Sequence, residues 1–157
     1  MERDGGRGGW SCPDLRHLVD GGCPVAAVGA LGLVAELPQG ERRQLQALSS
    51  RAWEWLAGHR LFLSGPAPRG WWRFAQPCLG RTDLVEALAV LGRVGVEGDA
   101  CLSEAVLAVL SRQEASGRWV QQLSVPTGEA KGAAGRWVTL RALVAVAAYA
   151  GTLGGGG

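Results

Sequence analysis

A chain of 157 residues with 47% apolar content can build one domain around a real core. Its net charge of +2 is scattered, with no stripe of Lys and Arg of the kind that marks nucleic-acid binding. The stretch 137–157 is nearly uncharged but is interrupted by Arg141, short of the ~20 apolar residues of a membrane span, and the N-terminus lacks a signal-like apolar run; a cytoplasmic protein, not an integral membrane one, is expected.

The leading segment 1–22 is Gly-rich and expected to be flexible. With the residue that follows, it contains the pattern Cys12-x4-His17-x5-Cys23. Structural zinc wants four ligands, usually with a tighter first pair, and the fourth would have to come from His59 or Cys78. Ordinary packing is the better reading of these residues, and no metal or other cofactor is assigned. Cys12, Cys23, Cys78 and Cys101 show no regular spacing, so reduced and mostly buried thiols are expected. Cys23 precedes Pro24, where a helix dipole favours a thiolate. Lacking a placed base, it reads as an inert buried thiol.

Pro24 suits the first turn of a helix over 24–37, apolar almost all round, which Pro38 stops. A second helix over 41–63 is amphipathic, with Leu45, Leu48, Ala52, Trp55 and Leu56 at helical spacing. His59 and Arg60 fall at its end, where positive charge complements the dipole. A third helix, 82–94, takes Thr82 as N-cap and Asp83 in its first turn, and Gly95 ends it. A fourth, 100–113, follows an Asp99 cap and sets Leu102, Val106 and Val109 opposite Ser103, Glu104 and Ser111. A fifth, 137–150, is again apolar nearly all round, and a disordered Gly tail closes the sequence. The bounds of the folded domain are therefore 23–150, with 151–157 as tail.

Helices apolar on every side must be covered on every side. Their alternation with one-sided helices predicts two layers, with the first, third and fifth inside and the second and fourth outside. Ala30-Leu31, Ala87-Leu88 and Ala142-Leu143 recur at intervals of about 55 residues, longer than the common helical repeats. This spacing implies hairpins joined by long connections, 64–81 and 114–136, rich in Gly, Pro and Trp.

The run Gln113-Glu114-Ala115-Ser116-Gly117-Arg118-Trp119 reads Q-x-x-x-G-x-W, between an amphipathic helix and an all-round apolar one. It resembles the repeat signature of squalene and oxidosqualene cyclases. The stretch 41–150 is similar to small bacterial squalene-cyclase-like proteins of the terpenoid-cyclase and prenyltransferase superfamily. The resemblance implies an all-α, partial α/α toroid of about two and a half hairpins, in which Gln113 bonds free backbone groups at helix ends, Gly117 turns the chain and Trp119 stacks over the hairpin end. The cyclase acid motif D-x-D-D is missing, since Asp14, Asp20, Asp83 and Asp99 all stand alone. The zinc set of protein prenyltransferases is not recognisable either.

Two groups of residues remain as a candidate site. Trp71, Trp72 and Phe74, with Arg73, are placed either to line an apolar pocket with cation–π character or to fold down over hairpin ends. Asp83 and Arg141 open two of the inner helices. As a general acid Asp83 would need a raised pKa, and a first-turn Asp has the opposite tendency. The functional expectation is a non-catalytic toroid-like domain binding a protein partner or an apolar, isoprenoid-like ligand on its inner-helix face. Homodimerisation or docking to another chain is expected through the fifth helix. The alternatives are a terpene-cyclase-like enzyme with Asp83 as acid, and a helical-repeat adaptor without a pocket.

Overall fold

The computed structural model describes residues 10, 12, 18–77, 82–124 and 129–153. Helices dominate: α1 (Pro24–Glu36), α2 (Gln39–Gln44), α3 (Gln46–Gly58), α4 (Leu84–Val94), α5 (Ala100–Leu110), α6 (Arg136–Ala147) and α7 (Ala150–Leu153). A two-residue antiparallel pair, β1 (Trp119–Val120) and β2 (Ala134–Gly135), lies between α5 and α6. The chain is thus mostly helical, as composition predicts; the short strand pair has no counterpart in the sequence reading.

The element ends show which local forces act. Pro24 opens α1, and the Cys23 sulfur caps it by accepting from the Ala26 amide at 3.4 Å. Asp83, not Thr82, is the N-cap of α4: its carboxylate accepts from the Glu86 amide at 2.9 Å, while Thr82 is simply buried. Gly95 ends α4 in the left-handed conformation at φ +82, and Asp99 caps α5 through the Cys101 amide at 2.8 Å. The expected continuous helix over 41–63 is instead divided at Leu45 and finished at Gly58. Arg42 supplies a reason for the division. Its guanidinium donates to the carbonyls of Leu37 at 2.7 Å, of Ala35, and of Arg93 at 3.4 Å, so it ties α2 to the carboxyl ends of α1 and α4. Beyond α3 the backbone makes a left-handed turn at Arg60, Leu61 and Phe62, with φ of +48, +50 and +55. Such values cost roughly 1–2 kcal/mol per residue; burial of Leu61 and Phe62 in the core offsets them.

The three nearly uncharged helices are neighbours in the order α1, α4, α6, with α3 packed on α1 and α5 on α4 and α6. The core runs through Leu31, Leu56, Leu88, Leu91, Leu102, Val106 and Ala142. Only α4 among the all-round apolar helices is covered on most sides. The expectation that all three would be covered fails at α1 and α6, which lie at the two edges: Leu33 is 73% exposed, and Trp137, Leu140, Leu143 and Val144 are 45–57% exposed. The inferred register of the last helix is also off by one residue. Ala142 is buried while Leu143 faces outward, because Val138, Ala142, Ala145 and Tyr149 form the inward stripe.

The described part of the leading segment is tied to the domain. The Trp10 carbonyl accepts from the Cys23 amide at 2.8 Å, Trp10 and Val19 pack against the core, and Val19 and Gly22 exchange two backbone bonds across a tight turn. At the other end, residues expected to belong to the tail form α7; residues 154–157 lie outside the described residues.

Candidate functional site

The aromatic connection before α4 turns inward. Trp71 and Phe74 are core residues, so neither lines an open pocket. The Trp71 indole N–H donates to the Leu61 carbonyl at 2.8 Å, and its ring meets Phe62 edge-on at 5.3 Å. Trp72 is half-buried and does take part in a cation–π contact, but with Arg112, whose guanidinium lies 4.8 Å from the ring centre and donates to the Trp72 carbonyl at 3.0 Å. Arg73, the expected cation, is exposed and faces a groove with Val120, Gln122 and Lys131. Arg112 falls inside the expected helix 100–113, but α5 ends at Leu110, and Arg112 lies just beyond it.

The Q-x-x-x-G-x-W run forms a local turn. Gly117 adopts φ +77, the Glu114 backbone amide donates to the Arg118 carbonyl across the turn at 2.8 Å, and the Gln113 side-chain amide donates to the Gly117 carbonyl at 2.8 Å. This bond of Gln113 serves the turn, not the helix end. Trp119 closes the helix end instead, its buried indole N–H donating to the Val109 carbonyl, in the last turn of α5, at 2.8 Å. Trp71 does the same for Leu61. Both indoles reach back ten residues along the chain, which gives the two connections one shared design.

Other residues that join these connections carried no evident sequence signal. Fully buried Gln121 accepts from the Gln76 amide at 3.1 Å and donates to the Leu123 carbonyl at 3.0 Å, and Gln122 accepts from the Phe74 amide at 2.8 Å. Glu129 caps α6 from outside the helix, its Oε1 accepting from the amides of Arg136 at 2.8 Å and Trp137 at 3.2 Å. Gly135 makes room for it: a Cβ there would lie 2.6 Å from Glu129 Oε2.

Asp83 and Arg141, separately singled out in the sequence, meet. Arg141 donates to both oxygens of Asp83, at 2.5 and 3.0 Å, and the two side chains are 10% and 3% exposed. The same guanidinium donates to Glu86 at 3.2 Å and to the Ala75 carbonyl at 2.5 Å. With the Glu86 amide also on Asp83, the carboxylate is an acceptor held among donors. Beside the cluster, between α1 and α4, a groove of about 430 Å³ is lined by Gly29, Gly32, Val90, Gln76 and Glu86. Its rim also carries Glu36 and Arg93, an ion pair at 2.7 Å.

Of the metal-like pattern, His17 and the alternative ligand Cys78 lie outside the described residues. Cys12 and Cys23 are in thiol contact, and burial above all pushes the Cys23 thiol up from its ordinary value. Among the described residues no three His, Cys, Asp or Glu side chains are arranged to hold a metal ion. His59 ends α3: its Nδ1 lies 2.8 Å from the Trp55 carbonyl, so that nitrogen carries the hydrogen, and Nε2 is 3.4 Å from Asp20. Arg60 pairs with Glu104 on the surface. No helix is long and apolar enough to cross a membrane among the described residues. No family model, curated protein or solved structure matches this chain.

Proposed function

We propose that this chain is a non-catalytic α/α-hairpin interaction module, a partial toroid with α1, α4 and α6 as its inner tier and α3 and α5 as its outer tier, that docks a protein partner through α6. The observation that carries this reading is the apolar stripe of Trp137, Leu140, Leu143 and Val144 on α6, opposite the stripe that packs into the core. A run of exposed apolar residues along one helix is an interaction surface by default. The occupant is a second copy of the chain. Residues 137–147 carry one charge, and that charge, Arg141, is turned inward onto Asp83. The exposed Arg136 is stacked on Trp137 at the start of α6, and an antiparallel pairing of two stripes about a twofold axis keeps its two copies at opposite ends.

The ligand-binding version receives less support. Of the aromatic side chains that would have greeted an isoprenoid, Trp71 and Phe74 are in the core and Trp72 is stacked with Arg112, and the groove between α1 and α4 is rimmed by Glu36, Glu86 and Arg93. The same facts weigh against the cyclase-like alternative, since both oxygens of Asp83 are engaged by Arg141. Sedimentation across a wide concentration range tests the proposal: a dimer is expected, and Leu143→Glu is expected to leave a folded monomer. A wild-type chain that stays strictly monomeric when concentrated overturns the occupant.

A further inference from the structure

Two thiols from distant parts of the N-terminal region share one place in the fold, and the module reading does not use them. Cys23 is fully buried at the N-cap of α1, its sulfur facing the Ala26 amide. Cys12 is partly accessible, and its thiol lies against that of Cys23. The backbone favours the approach: the Trp10 carbonyl accepts from the Cys23 amide at 2.8 Å, so the chain two residues before Cys12 is held beside the start of α1. The Trp10 side chain packs on the core and holds the other side of the segment. Cys101, the remaining described thiol, sits in α5 next to its Asp99 cap and is in neither contact.

We propose that Cys12 and Cys23 form a peroxide-sensitive dithiol, with accessible Cys12 the residue that is oxidised and buried Cys23 the residue that resolves it. The oxidant is a hydroperoxide, ROOH. The Cys12 thiolate attacks the outer oxygen; the S–O bond forms, the O–O bond breaks, and RO⁻ leaves with the proton that the Cys12 thiol gave up. The Cys12 sulfenic acid then meets the Cys23 sulfur. As the S–S bond forms, the S–O bond breaks and hydroxide departs with the Cys23 proton as water. Two thiols are oxidised by two electrons, and one hydroperoxide is reduced to an alcohol and water. The division of labour follows from access and burial. A hydroperoxide reaches Cys12 from solvent, whereas Cys23 is buried and closed to it, so Cys23 reacts only with the sulfur that already lies against it. The bridge would tie Cys12 covalently to the start of α1, the end of the domain remote in sequence from the α6 docking stripe.

The test uses the full chain, hydrogen peroxide near equimolar amounts, alkylation and peptide mass spectrometry. The expected product is a peptide pair joining Cys12 to Cys23 with loss of two hydrogens, restored by dithiothreitol, while Cys101 stays alkylatable. In Cys23→Ala a Cys12 sulfenic acid should persist and be trapped by dimedone, and in Cys12→Ser the Cys23 thiol should remain reduced. Should Cys23→Ala fail to fold, the wild-type mapping still decides the matter. Recovery of both thiols fully alkylatable, oxidation of wild-type Cys12 straight to the sulfinic acid, or a bridge involving any other cysteine would overturn the proposal.

Discussion

Arg141, in the second turn of α6, holds both oxygens of Asp83, the residue that caps α4, with the pair almost wholly out of water. Two elements far apart in sequence are thus joined by an ion pair that also completes a helix cap. Removing the cation strands a buried carboxylate, whereas removing only the negative charge leaves Arg141 with Glu86 and the Ala75 carbonyl. Arg141→Met is therefore expected to cost about 3–5 kcal/mol. Asp83→Asn, which retains a capping side chain, should cost clearly less. Urea unfolding of the two variants checks the order, and equal losses would mean that the cap, not the ion pair, dominates.

The indoles of Trp71 and Trp119 make equivalent bonds to Leu61 and Val109. Replacing either by Phe leaves a buried carbonyl without its donor and a smaller ring in a filled core. Each substitution should lose roughly 2–4 kcal/mol, with similar values for the two if the connections share one design. Denaturation midpoints measured side by side give the comparison. A loss confined to Trp119 would break the equivalence.

The sequence announced most of the helices and little of what joins them. Pro24, Gly95 and Asp99 act locally, through φ restriction, a left-handed turn and a short side-chain cap, so their roles are legible in order along the chain. The Asp83–Arg141 pair was half legible: each residue stood out as a charge at the mouth of an apolar helix, yet their contact depends on how α4 and α6 align. Gln121, Glu129 and Arg112 were invisible because their partners lie in another connection or at the start of the next helix, and their residue types are ordinary on a surface. The exposure of Leu143 was missed for a different reason. Apolar composition does not say which helix lies at an edge, and a helix at an edge keeps its composition while losing cover on its outward side.

Gly92 on α4 marks a close approach that composition also hides. A Cβ at this position would lie 2.6 Å from the Ala148 Cβ, just past the end of α6, and 3.7 Å from the Tyr149 hydroxyl oxygen, which donates to the Leu88 carbonyl at 3.1 Å. Backbone on both sides leaves little room to yield, so Gly92→Ala should destabilise by about 1–3 kcal/mol although alanine is the better helix former. Ala148→Gly opens the facing side. In the double variant the two changes should interact favourably, giving a smaller loss than the sum of the single ones. A Gly92→Ala protein as stable as the wild type would rule out the close packing.

Stability should fall at both ends of the pH scale, for separable reasons centred on the start of α5. Asp99 accepts from the Cys101 amide, and this bond holds its carboxyl below the ordinary 3.8. Its folded pKa is depressed, so its contribution is complete above 3.8 and is lost as pH falls through the folded value. Cys101 has the opposite sense. Burial first, and the neighbouring Asp99 second, push its thiol up from 9.0 to about 12. Below 9.0 the thiol is protonated in both states and its contribution is fully present; between 9.0 and about 12 only the unfolded chain gives up the proton, and stability drains away. Burial moves Tyr149 in the same direction from 10.0, adding to the alkaline fall. Asp99→Asn keeps a cap and removes the charge, so it should flatten the Asp99 part of the acid limb and, by removing a carboxylate from beside Cys101, make the alkaline limb shallower. Cys101→Ala should act chiefly on the alkaline limb, with a smaller change in the acid limb, because the Cys101 side chain is the second group, after its own amide, that holds the Asp99 carboxyl down. Urea midpoints recorded across the pH range separate the two limbs, and an alkaline slope unchanged in Cys101→Ala would show that this thiol is not what the fold keeps protonated.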